Sequence, residues 1–385
     1  MALQRLLADR VITGPATGGD PASDDPARDV TRLTASEPVA AAEAADAAEA
    51  CFGLRGDLTR LPGEADDNFL LATATGAPGG TRYVVKFAHQ LADPRFVDLQ
   101  VRALRHVEAQ DPNLPVPRVI PANDGQLRAV VAEGPLRGRL VHVLSYLEGQ
   151  LLRSAPSSAA LRRTLGVTLS RLDRALGGFD DPLIRRPLLW DLAQLPQLRP
   201  LLAERSPGPG TRLLDKQLTR LITEVSPRLA RQRTQVVHND FSPDNVLVSA
   251  SPSAGADASA VTGIIDFGDV IVTALINDVA ISATQQLASE QQLAADGDLV
   301  GPALDLIAGF HAKTLLTTDE LSLLPDLILG RLVARIIISE WRAARFPENR
   351  SYVLRNTPGA WEHLHRLLTI GAGEFAARIQ EATRA

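Results

Sequence analysis

Two neighbouring stretches of this chain decide its fold. The first reads Val236-Val237-His238-Asn239-Asp240-Phe241-Ser242-Pro243-Asp244-Asn245-Val246-Leu247-Val248, and the second reads Gly263-Ile264-Ile265-Asp266-Phe267-Gly268-Asp269. In both, apolar β-branched residues predict short buried strands, and polar residues gather at the strand ends. Three of those polar side chains can converge on one point: Asp240, Asn245 and Asp266.

This trio suits Mg²⁺-assisted phosphoryl transfer. Mg²⁺ prefers hard oxygen ligands in near-octahedral geometry, and Asn245 and Asp266 supply such oxygens. A separate carboxylate must orient the hydroxyl group of the acceptor and take its proton. The sequence therefore predicts Asp240 as the catalytic base and Asn245 and Asp266 as the metal ligands.

The same residues carry a family resemblance. His238, Asp240 and Asn245 form the pattern His-x-Asp-x-x-x-x-Asn, which is followed by an apolar strand and by Asp266-Phe267-Gly268. This resembles the aminoglycoside phosphotransferase and choline kinase family, relatives of the protein kinases. The finer match is to the hydroxylysine-kinase-like branch, including phosphotransferase domains fused to class III aminotransferases. The resemblance implies an α+β, bilobal, protein-kinase-like fold, with a small β-rich N-lobe and a larger, mainly helical C-lobe.

Composition limits the class of protein. A chain of 385 residues is long enough for two lobes, and 45% apolar with 22% charged residues is ordinary for a soluble globular protein. The net charge of −5 argues against nucleic-acid and anionic-membrane partners. The single cysteine, Cys51, excludes an internal disulfide framework and a zinc site. Without a signal-peptide core or a membrane-spanning run, the expected location is cytoplasmic.

Pattern and composition divide the chain into three parts. Residues 1–35 predict a flexible N-terminal arm, 36–148 the nucleotide-binding N-lobe, and 149–385 the catalytic and acceptor-binding C-lobe. The N-lobe pattern predicts strands at 54–61, 69–73, 83–87, 128–132 and 140–147, and a helix at 94–109. The C-lobe pattern predicts helices at 161–176, 212–231, 277–287, 298–315, 319–345 and 358–379. Residues 249–260 predict an exposed loop between two strands.

Lys86 is the candidate phosphate-binding cation. Only three of the 40 basic residues are lysines, and Lys86 is the one inside a strand-like run. A lysine there could simply be an edge-strand side chain pointing to solvent. The resemblance implies instead that Lys86 neutralises nucleotide phosphates, as the strand lysine of kinases does.

The resemblance also assigns the other nucleotide-binding positions. It places Gln100 where kinases carry the helix glutamate that pairs with the lysine, and a neutral amide there is a departure from that pattern. It places the phosphate loop between Gly63 and Asn68, although this stretch also fits a plain β-turn. The acids of that loop, Glu64, Asp66 and Asp67, should point away from the phosphates or help with metal.

Ser145, Tyr146 and Leu147 end the last N-lobe strand, and the resemblance makes them the segment that offers backbone groups to the nucleobase. Side-chain identity matters little there, so ATP and GTP both remain possible donors.

Several residues near the catalytic stretch have predicted supporting roles. The resemblance implies that His238 braces the loop by hydrogen bonding. Asn239 stands where many relatives carry glycine, and a left-handed backbone tolerates asparagine next best. Asp278 is expected to start a helix in a structural role. Asp269 could contact metal or the amine of the substrate, or cap the next turn.

Acceptor contacts are predicted from residue type. Trp190 and Tyr352 could form aromatic walls for a cation, and Asp191 could bind an amine. Further candidates of the same kinds are Asp173, Glu340 and Trp361. Arg342 and Arg345 could instead hold a carboxylate.

The predicted activity is transfer of the γ-phosphoryl group of ATP or GTP, with Mg²⁺, to a hydroxyl group of a small amine-bearing molecule, either a hydroxylated amino acid or an amino alcohol. One alternative is an aminoglycoside or other antibiotic phosphotransferase. An alternative of another class is a nucleotide-binding pseudokinase module. No sequence feature decides the oligomeric state.

Overall fold

The structure is a computed structural model that describes residues 37–63, 66–73, 81–249, 260–347 and 350–384. The predicted arm at 1–35, Glu64 of the predicted phosphate loop and 250–259 of the predicted insertion lie outside the described residues.

The N-terminal part is β-rich, as predicted. It contains α1 (Ala41–Phe52), β1 (Asp57–Leu61), β2 (Asp67–Ala72), β3 (Arg82–Phe87), α2 (Pro94–Gln110), β4 (Val119–Ile120), β5 (Ala129–Val130) and β6 (Leu140–Ser145). The strands form one antiparallel sheet in the order β1-β2-β3-β6-β4, and β5 also pairs with β6. Strand β4 was not predicted, because two residues after a Pro-Val-Pro segment show no periodicity.

Alternating burial fixes which face of this sheet is covered. Strand β2 buries every second side chain, among them Phe69 and Leu71. These pack in one apolar cluster with Ala44, Ala48 and Phe52 from α1. Helix α2 instead contributes its apolar side chains to the larger core of the C-terminal part, so it joins the two parts of the molecule.

The C-terminal part is mainly helical, with short strands between the helices. Its first elements are β7 (Gln150–Leu151), α3 (Ala159–Leu176), α4 (Leu198–Ala203), α5 (Pro209–Arg220), α6 (Ser226–Leu229), β8 (Thr234–Val237), β9 (Val246–Val248), β10 (Val261–Ile264) and β11 (Ile271–Ala274). Then come α7 (Leu275–Thr284), α8 (Glu290–Asp296), α9 (Gly301–His311), α10 (Thr318–Arg345), α11 (Arg350–Leu354), α12 (Thr357–Ile370) and α13 (Ala372–Ala382). The predicted α+β fold is confirmed.

Helix α10 runs through the centre of this part. Its N-terminus is fixed by a capping box in which Thr317 accepts from the backbone of Glu320 and Glu320 accepts from the backbone of Thr317. Its 28 residues are buried over much of their length, so the helix is surrounded by protein instead of lying on the surface.

Two glycines let α3 and α9 pack closely. A Cβ atom on Gly166 would lie 2.0 Å from the carbonyl oxygen of Leu306, and one on Gly309 would lie 2.1 Å from that of Arg163. Both clashes are with backbone, which cannot move aside cheaply. Any larger residue at either position would therefore push the two helices apart.

None of the helices in the described ranges is both long and apolar enough to cross a membrane.

Candidate active site

Strand pairing brings the two decisive stretches together. Strand β8 pairs with β11, and β9 pairs with β10, both antiparallel. The loop at 238–245 joins β8 to β9, and the loop at 265–270 joins β10 to β11, so both start and end on paired strands. We call these two segments the catalytic loops. The backbone N–H of Ile265 donates to the carbonyl of Asn245 at 2.9 Å and ties one loop to the other.

Asp240 and Asn245 are in direct contact within the first loop. The Nδ2 atom of Asn245 donates to the carboxylate of Asp240 at 2.6 Å and to its backbone carbonyl at 3.1 Å. This amide orientation leaves the Oδ1 atom of Asn245 on the side away from Asp240. The loop therefore fixes the direction of both side chains.

The electrostatic surroundings of Asp240 favour its protonated form. Burial, together with the neighbouring carboxylates Asp269 and Asp266, raises the pKa of Asp240 to about 8. Arg331 and Arg335 act in the opposite direction, because their charges stabilise the carboxylate. A base with a pKa near neutrality is matched to accepting a proton from an alcohol.

Asp278 holds the backbone of the first loop in place through hydrogen bonds. Its two carboxylate oxygens accept the backbone N–H groups of His238 at 3.2 Å and of Asn239 at 2.9 Å. Asn239 adopts a φ of 64°, the expected left-handed conformation. The backbone N–H of Asp240 donates to His238 Nδ1 at 3.3 Å. The backbone of Asp240 and of the two residues before it is thus held by hydrogen bonds.

Asp173 lies beside Asp278 on the side away from the cavity. It is fully buried, and burial together with the charge of Asp278 holds its pKa well above the usual range. A protonated Asp173 can donate to Asp278. Asp173 does not line the cavity, so this geometry does not support its predicted contact with the acceptor.

Asp266 is presented to the cavity by a constrained turn. Its φ is also 64°, and its Oδ1 accepts the backbone N–H of Gly268 at 3.2 Å. Arg186 donates to the carbonyls of Gly268 at 2.6 Å and of Val270 at 2.8 Å, which braces the second loop. Asp269, in the same loop, is buried at the cavity wall.

The residues present fit a Mg²⁺ ion that is bound together with a nucleotide. Asn245 and Asp266 both line the cavity and both offer an oxygen to it. Within the described ranges, no group of three or more His, Cys, Asp or Glu side chains could hold a metal alone. Two protein ligands, with phosphate oxygens and water completing the shell, is the usual arrangement for Mg²⁺.

Lys86 pairs with a different residue from the one that the kinase pattern suggests. Its Nζ atom lies 3.8 Å from the carboxylate of Asp66. Asp66 is itself held by the backbone N–H of His89, which donates to Oδ1 at 3.1 Å. Gln100 lines the same cavity but forms neither a hydrogen bond nor an ion pair with Lys86 in the described structure. The ion-pair partner of Lys86 is therefore Asp66, one of the acids of the predicted phosphate loop.

The position of Lys86 follows from the register of the sheet. Lys86 lies opposite Asn68 on one side and His142 on the other. His142 is buried, and burial together with the charge of Lys86 lowers its pKa to about 3. His142 therefore remains neutral and adds no second positive charge next to Lys86.

The predicted nucleotide-binding residues share one cavity with the catalytic loops. Those that line it are Gly63, Asn68, Lys86, Gln100, Ser145, Tyr146 and Leu147. A Cβ atom on Gly63 would lie 2.3 Å from the carbonyl oxygen of Asp66, so this turn requires glycine. The cavity volume is about 1860 Å³, larger than the ~300–1,000 Å³ of a single small-molecule pocket. It has room for a nucleotide and an acceptor together.

The aromatic acceptor candidates lie on the opposite side of this cavity. Trp190 and Tyr352 both line it, and each is covered by an arginine, Arg331 at 5.0 Å and Arg355 at 3.8 Å from the ring centroid. These guanidinium groups already occupy ring faces, so the rings are less available to a cationic substrate than the sequence suggested.

The other acceptor candidates are used elsewhere. Asp191 is buried outside the cavity lining and accepts from the Ala193 backbone, Thr273 and Asn277. Its predicted substrate contact is therefore replaced by a structural role. Glu340 forms an ion pair with Arg205 and accepts a hydrogen bond from Trp361 Nε1. The candidates Glu340 and Trp361 therefore also have structural contacts.

Arg331 and Arg335 are cavity residues that the sequence analysis missed. The sequence does contain an indication of them, because two arginines four residues apart interrupt an otherwise apolar stretch of a long helix. A buried helix does not tolerate such charges without a reason.

Residues 57–310 match the model of the phosphotransferase enzyme family, APH. The chain belongs to this family. Its predicted activity as a small-molecule phosphotransferase is confirmed at that level.

Individual relatives agree with this assignment. The chain is 25% identical over 343 residues to hydroxylysine kinase of Mus musculus, covering 86% of this chain and 89% of the relative. Two solved structures share the fold. An aminopropanol kinase associated with a microcompartment has a TM-score of 0.56 and 16% identity, covering 84% of this chain and 96% of its own. An amicoumacin kinase in complex with AMP-PNP and Ca²⁺ has a TM-score of 0.55 and 15% identity, covering 78% and 88%.

Proposed function

We propose that this phosphotransferase moves the γ-phosphoryl group of ATP or GTP to a hydroxyl group of a small amine-bearing molecule, either a hydroxylated amino acid or an amino alcohol. The observation that carries the proposal is the convergence of Asp240, Asn245, Asp266 and Lys86 on one cavity. They come from three separate segments of the chain, and in the proposal they supply a base, two metal ligands and a cation for the phosphates.

Asp240 acts as the base in this proposal. Its carboxylate is held by the amide of Asn245, so it can orient the hydroxyl group of the acceptor towards the phosphate. Its raised pKa means that it accepts a proton readily once the hydroxyl begins to bond to phosphorus. Arg331 and Arg335 keep part of the population ionised at neutral pH.

Asn245 and Asp266 would hold Mg²⁺, which supplies charge neutralisation between the phosphates when it is bound. Lys86 would contact the phosphates from the sheet side, with Asp66 fixing its position. Negative charge spreads over the phosphoryl oxygens in the transition state, so a preorganised ammonium group there lowers the barrier.

The remaining contacts follow from their place in the cavity. Gly63 and Asn68 lie where a turn can direct backbone N–H groups at phosphates. Ser145, Tyr146 and Leu147 lie where the nucleobase would reach the sheet edge. Asp269 lies at the other wall, near the base, and can meet the amine of the acceptor.

The acceptor class is supported by the relatives and by the charges at the site. One relative is a hydroxylysine kinase and a structural neighbour is an aminopropanol kinase, and both names denote small hydroxylated amines. An aminoglycoside carries several positive charges, and the arginines on the acceptor side of this cavity oppose such a substrate. The complete set of reactive residues opposes a pseudokinase.

The proposal is tested by a nucleotide-consumption screen. Purified protein, Mg²⁺ and either ATP or GTP are combined with 5-hydroxylysine, homoserine, ethanolamine, choline or an aminoglycoside. We expect nucleoside diphosphate release that depends on one of the small amines, with a phosphorylated product in the mass spectrum. Nucleotide binding without acceptor-dependent turnover across the panel would favour the nucleotide-binding module.

A further inference from the structure

A row of arginines on one face of α10 reaches the acceptor side of the cavity. Arg331, Arg335, Arg342 and Arg345 all line it. Residues four, eleven and fourteen positions apart lie on the same side of an α-helix. The helix therefore presents a positively charged face to the space next to Asp240.

Two of these four arginines have clear partners elsewhere. Arg345 forms an ion pair with Glu204 at 3.1 Å. Arg342 also interacts with another group of the protein. Arg331 and Arg335 are the two whose charges act on Asp240, so they are the arginines best placed for a ligand that lies next to this carboxylate.

Arg331 is only partly satisfied. Its Nη1 atom donates to the carbonyl of Trp190 at 2.6 Å, and its guanidinium lies over the Trp190 ring. Its Nε atom is buried without a hydrogen-bond partner among the described residues. The group is thus fixed in orientation and still has an unused donor.

Arg335 has no direct partner. It forms no hydrogen bond and no ion pair with any residue in the described part of the chain, although Asp240 and Asp244 attract its charge through space. Burial lowers its pKa to about 10, so it still carries a positive charge at neutral pH. Its side chain is only partly exposed to water, and a cation in such a position gains stability when an anion joins it.

We infer that Arg335, supported by Arg331, binds a carboxylate group of the acceptor, and that the acceptor is therefore a hydroxylated amino acid and not an amino alcohol. A guanidinium group offers two parallel N–H donors that match the two oxygens of a carboxylate. Asp269, near Arg331, supplies the opposite charge for the α-ammonium group. The inference rests on the proposed function and deepens it.

The phosphate being transferred is the other anion that comes close to Asp240. A phosphate and a carboxylate share the chemistry that attracts a guanidinium group, so the two sources must be separated by experiment. The carboxylate is favoured because both arginines lie on α10, and Arg331 packs against Trp190, a residue of the acceptor side. The nucleotide-binding residues Lys86, Asn68 and Tyr146 come from the sheet.

The test uses pairs of acceptors that differ only in the carboxylate. 5-Hydroxylysine is compared with 1,5-diaminopentan-2-ol, and homoserine with 3-aminopropan-1-ol. The measured quantity is the ratio of kcat/KM within each pair. For the wild type we expect the carboxylate-bearing member to be preferred by about 10- to 100-fold, the range for a hydrogen bond to a charged group.

Substitutions test which residues cause the preference for the carboxylate-bearing acceptor. Arg335→Met should reduce the ratio to near one by raising the KM of the amino acid, and Arg335→Lys should restore it only in part, because an ammonium group lacks the two-pronged geometry. Arg345→Gln removes the same charge from the same helix face, where it is already paired, and should keep the wild-type ratio within about two-fold. Thermal melting of each variant checks that it folds.

The outcomes separate the inference from the proposed function. A wild type that uses both members of each pair equally overturns the carboxylate assignment and leaves the kinase proposal intact. An Arg335→Met variant with an unchanged ratio but a raised nucleotide KM assigns the residue to phosphate and also overturns it. A wild type that turns over no acceptor at all overturns both.

Discussion

The catalytic loops and the strand that carries Lys86 face each other across one cavity, yet they are held in very different ways. Asp240 is fixed by Asn245 at 2.6 Å, and the backbone before it is fixed by two buried hydrogen bonds to Asp278. Lys86 is restrained by one partly exposed ion pair at 3.8 Å. The acceptor side is therefore preformed, while the phosphate side has fewer restraints of its own.

This difference indicates that the two sides of the cavity have different roles in the reaction. A base must be aligned with the attacking hydroxyl before the reaction, so its geometry is worth fixing in the empty protein. A lysine that contacts a flexible triphosphate can be positioned by the nucleotide itself. Substitutions on the two sides should therefore affect different kinetic constants.

The largest effect is expected from Asp240→Asn. The amide keeps the shape of the side chain and a possible hydrogen bond to Asn245, but it cannot accept a proton from the acceptor. We expect kcat to fall by about 10²- to 10⁴-fold, with the KM for nucleotide nearly unchanged. Steady-state kinetics with the best acceptor of the screen measures both. A variant that retains more than a tenth of the wild-type kcat would show that Asp240 is not the base.

Asp278→Asn tests whether the loop needs its brace. An asparagine offers one acceptor oxygen to the two backbone N–H groups of His238 and Asn239, so one buried donor loses its partner. Leaving a buried donor unsatisfied costs about 1–3 kcal/mol, and we expect lower stability together with a roughly ten-fold lower kcat.

Asp191→Asn is the matched control, because Asp191 is also a buried aspartate with several hydrogen bonds but lies outside the cavity lining. It should lose comparable stability while kcat per folded molecule stays at the wild-type value. If both variants lose kcat equally, the effect of Asp278 is general destabilisation and not positioning of the loop.

The same contrast explains what could be predicted from sequence. Asp240, Asn245 and Asp266 lie next to four short strands that follow one another in the chain and pair as β8 with β11 and β9 with β10, so the local pattern was enough to bring them together. The partner of Lys86 depends on the register of β2 against β3 and on a turn after Gly63. That register is set by side-chain packing across the sheet, whereas the family resemblance placed Gln100 at the partner position.

Arg335 was missed for a related reason. Helix α10 is buried on most sides, so its apolar periodicity does not reveal which direction faces the cavity. The pairing of Asp191 with Thr273 and Asn277 is likewise a long-range contact between segments about 80 residues apart, and no local pattern encodes it. Residue type alone made Asp191 a substrate candidate.

On the phosphate side, Asp66→Asn and Gln100→Ala should have unequal effects. Removing the charge of Asp66 leaves Lys86 without its ion-pair partner, and we expect the nucleotide KM to rise by about three- to ten-fold, the scale of a partly exposed ion pair. Gln100→Ala should change the nucleotide KM by less than about two-fold, since Gln100 does not contact Lys86. Nucleotide titrations at saturating acceptor measure both. A larger effect at Gln100 would mean that the helix residue becomes the partner once nucleotide is bound.

The smallest expected effect is a gain in stability when the base is removed. The pKa of Asp240 is about 8 in the folded protein against an ordinary value of 3.8, so the folded state keeps a proton that the unfolded chain has lost between these values. Stability contributed by this group therefore falls as pH rises from about 4 to 8. Asp240→Asn has no such loss and should be more stable than the wild type by the order of 1 kcal/mol at pH 7.

Urea denaturation at several pH values measures this gain. The gain should vanish as the pH falls below the ordinary pKa of 3.8, where the folded and unfolded wild type both hold the proton. Asp244→Asn provides the contrast, because Asp244 in the same loop pairs with Arg153 and Arg355 and its removal should bring no gain at any pH. A gain for Asp240→Asn that does not depend on pH would arise from packing and not from the buried charge. A gain confined to neutral and alkaline pH would show that the preformed acceptor side is maintained at a cost in stability.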